Sequence, residues 1–170
     1  MNSGGPAKAG ETPTYIKAIS YELDLDLAFK DQLLLLGLST LQGIQGDKAM
    51  PSRQDFDPLK LPVQLLPHIM LIDVSGTMPI RLRWRLVGTY ITERIGRDMT
   101  GRFWDEIYED KVLREMSKAP LWAIEHRRPI RSIGGAPTEE KEFLVSENIF
   151  APLSTDGETV DMLFAVSVLT

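Results

Sequence analysis

Few side chains in this sequence could do chemistry. The chain has two histidines, His68 and His126, and no cysteine. The missing thiols exclude disulfides, thiolate metal sites and every cysteine-based covalent mechanism. Two histidines, with neither a Gly-x-Ser-x-Gly elbow nor a His-Glu-x-x-His pair, give hydrolase chemistry little support. Gly43–Lys48 is too short for a phosphate loop. The spacing of Asp73, Asp98, Asp105 and Glu106 does not pair them for acid–base work. What stands out is a run of arginines: residues 81–102 hold six, against Glu93 and Asp98, in a chain of net charge −5. A local basic surface could meet an anionic ligand or an acidic partner. Exposed strand arginines more commonly solvate a sheet face and pair with nearby carboxylates. Arg97, between Gly96 and Asp98, is the strongest single polar candidate. It either reaches an anionic ligand or ties its own loop to carboxylates and carbonyls, and the second role is favoured.

The elements that must position these groups follow from periodicity. Arg81, Arg83 and Arg85 alternate with Leu82, Trp84 and Leu86, the pattern of an antiparallel strand with one wet and one buried face. Gly88 lets the backbone turn closely, Thr89 is the candidate N-cap of a short helix through Ile95, and Gly96 suits the left-handed position that closes it. Thr100-Gly101 reads as a turn into a second short helix over Arg102–Ile107. Upstream, residues 1–30 read as a disordered tail or an extended arm, with 1–14 the tail. Tyr21, Leu23, Leu25, Leu27 and Phe29 alternate as in an edge strand. Asp31 is the candidate N-cap of a flanking helix within residues 31–49. Its leucines, Leu33 to Leu38 and Leu41, make it apolar nearly all round, so it needs covering on more than one side, by its own domain or by a second copy in a homodimer. Asp57-Pro58 predicts a short helix ending at Pro67, and His68–Val74 a buried strand, with a hairpin turn at Ser75–Thr77. Glu109–Glu125 reads as the longest helix, kinked or broken at Pro120. Pro129–Ile133, Phe143–Leu153 and Val160–Leu169 read as strands, with a mobile loop at Gly134–Lys141. In the last strand Val160, Met162, Phe164, Val166 and Val168 share one face, and Asp161, Leu163, Ala165, Ser167 and Leu169 the other.

With 170 residues and 43% hydrophobic composition, one domain with a proper core is expected. The acidic balance makes nucleic acid an unlikely partner. No apolar segment follows a basic start at the N-terminus, and the longest apolar run, Leu33–Leu38, is far short of the roughly 20 residues a membrane span needs. No membrane association and a cytoplasmic location are the expectation. Strands on either side of a helical insert, joined by hairpins, predict an α+β fold: an antiparallel sheet with helices gathered on one side.

The motifs, in order, resemble a PAS-like family common in alphaproteobacterial proteins. The matching residues are Pro51-Ser52-Arg53-Gln54-Asp55-Phe56-Asp57-Pro58 and Leu66-Pro67-His68-Ile69-Met70-Leu71-Ile72-Asp73, then Arg83-Trp84-Arg85-Leu86-Val87-Gly88-Thr89 and Gly96-Arg97-Asp98-Met99-Thr100-Gly101-Arg102. The resemblance covers about residues 50–169, and residues 50–170 are taken as the PAS-like domain. It departs upstream, where the family carries an aromatic-rich helix and this chain has Leu34-Leu35-Leu36-Gly37-Leu38. It implies a PAS fold of about five antiparallel strands whose inner face is covered by helices, often around a cavity. It also implies a non-enzymatic sensory or signalling module that binds a small ligand or mediates interaction and dimerisation. The ligand is expected between the inner sheet face and the helices, near Leu71, Trp84, Leu86, Ile95, Met116, Ile149 and Phe164, with Arg97, Thr89 and His126 as polar candidates. Flavin-adduct and coumaric-acid chemistry need a cysteine and are excluded. Non-covalent flavin has no residue that requires it. His126 lies about where haem-binding PAS domains carry an axial histidine, but a helix-end histidine serving the dipole is the better reading. Output would pass through a homodimer on the N-terminal helix or a separate signalling protein. Two further readings remain open. One is a small-molecule enzyme on a cone-shaped α+β fold; the other is an interaction protein that presents its arginine face to an acidic partner.

Overall fold

One sheet with two apolar faces sets the architecture. The computed structural model describes residues 20–136 and 144–170. Strands β1 (Tyr21–Asp24), β2 (Ile69–Ser75), β3 (Arg81–Val87), β4 (Ile130–Gly135), β5 (Val145–Leu153) and β6 (Met162–Leu169) form a six-stranded sheet in the order β1-β4-β5-β6-β2-β3. Every pairing is antiparallel. The helices are α1 (Gln32–Gln45), α2 (Thr89–Ile95), α3 (Trp104–Ile107) and α4 (Asp110–His126). The fold is α+β, as the sequence predicts, with one strand more than expected. That strand is β1, which pairs with β4 from Tyr21↔Gly134 to Asp24↔Arg131. The expectations for residues 1–14, for 137–141 and for Phe143 lie outside the described residues.

Alternation in β6 separates two cores. Leu163, Ala165 and Leu169 pack with residues of α2, α3 and α4, whereas Phe164 and Val166 pack with α1. On the α1 side, Asp31 caps the helix by accepting from the backbone N–H groups of Leu33 (2.8 Å) and Leu34 (3.2 Å). Leu34, Gly37 and Leu41, spaced three and four apart, are the buried face of α1. A Cβ on Gly37 would stand 3.2 Å from Val166 Cγ2, so the helix lies close on β6. Leu33, Leu36, Leu38 and Ile44 pack on the same cluster, and Leu35 stays 38% exposed. The sheet under α1 therefore accounts for most of that helix's apolar girth.

Several local expectations are corrected. A β-bulge interrupts the β2–β3 ladder: Leu71 faces Leu86 but Ile72 faces Trp84, leaving Arg85 as the extra residue. Two residues opposing one shifts the alternation, so Leu86 shares a face with Leu71 and not with Leu82 and Trp84. The N-cap of α2 is Gly88, and Thr89 is its exposed first helical residue. A side chain at Gly88 would put Cβ 2.2 Å from the Pro67 carbonyl oxygen, while the Gly88 N–H donates to Ile69 O at 2.8 Å. Gly96 closes α2 in the left-handed region, φ 89°, as predicted. No helix forms after Pro58. Asp57 instead accepts from Leu59 N–H through its side chain (3.0 Å) and from Lys60 N–H through its carbonyl (2.9 Å). Pro62 has no amide to sustain a helix there, and only a 3-10 turn over Leu66–His68 follows. Pro120 does not break α4, which runs through it with the ring buried. Gly134 and Gly135 belong to β4 rather than to a loop. No helix among the described residues is long and apolar enough to cross a membrane.

Candidate functional site

The face of the sheet under α2, α3 and α4 lines a cavity of about 50 Å³. One wall is aromatic. The Trp84 and Trp104 ring centroids are 4.7 Å apart, and Tyr108 meets Trp104 edge-on at 6.0 Å. Trp84 Nε1–H donates to Tyr108 Oη (3.3 Å), and the Tyr108 hydroxyl donates to Met99 Sδ (3.0 Å). Ile91 and Ile95 of α2 supply apolar lining, and Met116 of α4 and Met70 of β2 supply the flexible part of it.

The lining also includes a polar row built by strand register. Ser132 on β4 stands across from Asn148 on β5, and Asn148 across from Ser167 on β6. Ser146 lies two residues before Asn148, on the same face. All four are buried, between 1% and 5% exposed. Asn148 Nδ2 donates to Ser132 Oγ (3.3 Å) and Ser146 Oγ (3.1 Å), and Ser167 Oγ donates to Asn148 Oδ1 (2.5 Å). Placing four polar side chains where the fold could hold aliphatic ones costs free energy unless they are paired. Here they pair with one another at the edge of a cavity.

The edge strand adds Tyr21 to the lining. Tyr21 lies over Gly134, where a Cβ would come within 2.6 Å of the ring. Although Tyr21 is partly exposed along β1, its phenol end is buried, and the hydroxyl donates to Gly135 O at 2.6 Å. Burial pushes its pKa up to about 12; a hydrogen bond with Ser146 opposes the shift, and the Glu115 charge adds to it. The Tyr21 backbone N–H donates to Glu115 Oε2 on α4 (3.2 Å). Glu115 is held below the usual carboxylate range, mainly by its hydrogen bond from Lys118 and then by the one from Tyr21 N–H. One buried donor has no partner among the described residues: the indole N–H of Trp104.

Of the pocket residues expected from sequence, Trp84, Ile95 and Met116 line this cavity. Leu71, Leu86 and Phe164 instead line a groove of about 250 Å³ on the α1 side of the sheet, with Phe56 and Leu66. Ile149 is fully buried in that same α1-side core. None of the three polar candidates is among the cavity's lining residues. Thr89 is exposed at the start of α2, and Arg97 is half-buried in the turn after it. His126 is exposed, stacks on Trp122 at 4.2 Å, and places Nδ1 3.0 Å from Trp122 O, to which it donates within its own helix. Haem and flavin do not fit here, since drug-sized ligands need about 300–1,000 Å³ and no histidine lines the cavity among the described residues. No group of three or more His, Asp or Glu among the described residues could hold a metal ion. His68 stacks on Tyr90 at 3.9 Å and donates from Nδ1 to Ser167 O at 2.9 Å.

Sequence reasoning missed Tyr21, Trp104, Tyr108 and the whole Ser132–Ser146–Asn148–Ser167 row. The signal for the row was present: polar residues at alternate positions inside apolar strands. Of the arginines, Arg81 holds Asp105 through two hydrogen bonds (2.7 and 2.9 Å), and Arg83 pairs with Asp73 across the β2–β3 ladder (2.7 Å).

Residues 39–167 match the family described as the PAS domain, the match beginning inside α1. No curated protein and no solved structure matches the chain.

Proposed function

The chain belongs to the PAS-domain family, and from that premise we propose a non-enzymatic, cytoplasmic sensory module that binds a small molecule between the sheet and α2, α3 and α4. The observation that carries this reading is that a buried polar row and an aromatic cluster line one cavity. A plain interaction module would gain more stability from aliphatic side chains at Ser132, Asn148 and Ser167. The cavity lining includes no carboxylate or imidazole among the described residues, so it lacks the acid–base pair that a cone-fold enzyme would use. The pairing of Arg81 with Asp105 and of Arg83 with Asp73 leaves less of the arginine face for an acidic partner. Output passes to a second copy over α1, where Leu35 is exposed, or to a separate signalling protein. Native mass spectrometry of gently purified protein tests the reading. A non-covalent small-molecule adduct, lost in a Met116→Trp variant that fills the cavity, is the expected result. Folded protein that neither carries nor takes up a small molecule would leave only an interaction module.

A further inference from the structure

The hydrogen-bonding capacity left over in this cavity, and the charge it lacks, narrow what can enter. No Asp, Glu, Lys, Arg or His is among its lining residues as described. Both protons of the Asn148 amide are committed, to Ser132 and Ser146. The Ser146 hydroxyl donates to Gly134 O (3.4 Å), and the Ser167 hydroxyl donates to Asn148 Oδ1. Ser132 Oγ accepts from Asn148, and among the described residues its own proton is left to offer. Asn148 Oδ1, Ser132 Oγ, Ser146 Oγ and Ser167 Oγ each retain at least one lone pair. Trp104 Nε1–H is buried and unpartnered. The uncommitted capacity is thus two donors, on Trp104 and Ser132, and acceptor lone pairs on Asn148 Oδ1 and on the hydroxyl oxygens of Ser132, Ser146 and Ser167.

From this we infer that the cavity takes a small uncharged molecule carrying both a hydrogen-bond acceptor and a donor beside an apolar remainder, an amide or alcohol rather than an ion. The inference rests on the ligand-binding reading above and specifies its chemistry. A carbonyl or hydroxyl oxygen meets Ser132 O–H or Trp104 Nε1–H, and an N–H or O–H meets Asn148 Oδ1. The apolar remainder lies against Trp84 and the methionines. A carboxylate or ammonium would leave water without a counter-charge, and the desolvation of an unpaired ion outweighs the hydrogen bonds on offer.

Acetamide, acetate and acetamidinium have nearly the same shape and differ in charge, so they separate the two terms. Each is titrated into the full-length, isotope-labelled protein at neutral pH, following the Trp104 indole N–H and the Asn148 side-chain amide by NMR. Acetamide is expected to shift both signals saturably, and the two ions to bind at least about tenfold more weakly. Trp104→Phe, which keeps a ring and removes the N–H, is expected to weaken acetamide on the order of 3–10-fold. If that variant does not fold, the three probes on the unaltered protein still decide. Either ion shifting the same signals as readily as acetamide overturns the inference and leaves the ligand-binding reading standing. None of the three moving them also overturns it. Xenon dissolved in the same sample then separates the two readings. A xenon-induced shift shows that the cavity admits a guest, and no shift removes the ligand-binding reading as well.

Discussion

Replacing Tyr21 by phenylalanine tests how the edge strand closes the cavity. The substitution removes the 2.6 Å hydrogen bond to Gly135 O and should cost about 1–2 kcal/mol at neutral pH. The pH dependence is more telling. The phenol of Tyr21 has its pKa raised from 10.0 to about 12, chiefly by burial. A group whose folded-state pKa is raised binds its proton more tightly in the folded state. Its contribution is therefore complete below pH 10 and is lost as pH rises towards 12. The loss is about 1.4 kcal/mol by pH 11, one pH unit above the unfolded value. The phenylalanine variant has no such group, so its deficit relative to the parent protein should shrink by about that amount between pH 9 and pH 11. Urea unfolding of both proteins across that range, compared at constant m-value, measures the difference. A gap that stays constant to pH 11 would mean that the Tyr21 phenol titrates in water and does not form part of the cavity wall.

Three further outcomes follow from local geometry. Gly88→Ala drives a Cβ into the Pro67 carbonyl oxygen, 2.2 Å away, and should destabilise by about 3 kcal/mol, read as a fall in the urea midpoint. Arg127, the left-handed C-cap of α4 at φ 54°, should gain about 1 kcal/mol on replacement by glycine, which bears no Cβ penalty there, read as a higher thermal midpoint. Asp31→Ala leaves the Leu33 and Leu34 amides uncapped and should cost about 1 kcal/mol, with faster hydrogen exchange in the first turn of α1.

The fold was largely legible in the sequence, and the site only in part. Alternation in β6 gave both faces correctly over Met162–Leu169, the Asp31 cap fixed the start of α1, and Gly96 the end of α2. The residues expected at the pocket divide between the two faces of the sheet for a physical reason. The more apolar face, with Ile149, Phe164 and Val166, is the one packed beneath α1, whereas the cavity face carries Ser146, Asn148 and Ser167. Hydrophobicity marks where packing is tightest, and a ligand site needs polar groups that packing alone does not explain. Leu86 was misassigned because a bulge at Arg85 leaves the composition unchanged and alters only the pairing. Tyr21 was readable as part of an edge strand, but its place in the cavity depends on pairing with β4, more than a hundred residues later. Gly134 is the local sign of that pairing, since it leaves room for the ring.

The most direct test of the central claim is a crystal structure of the protein purified without denaturation, inspected for bound density. Density between Trp104 and the Ser132–Asn148–Ser167 row is the predicted result. Density confined to the groove beside Phe56, Leu71 and Phe164, with that row packed shut, would contradict it.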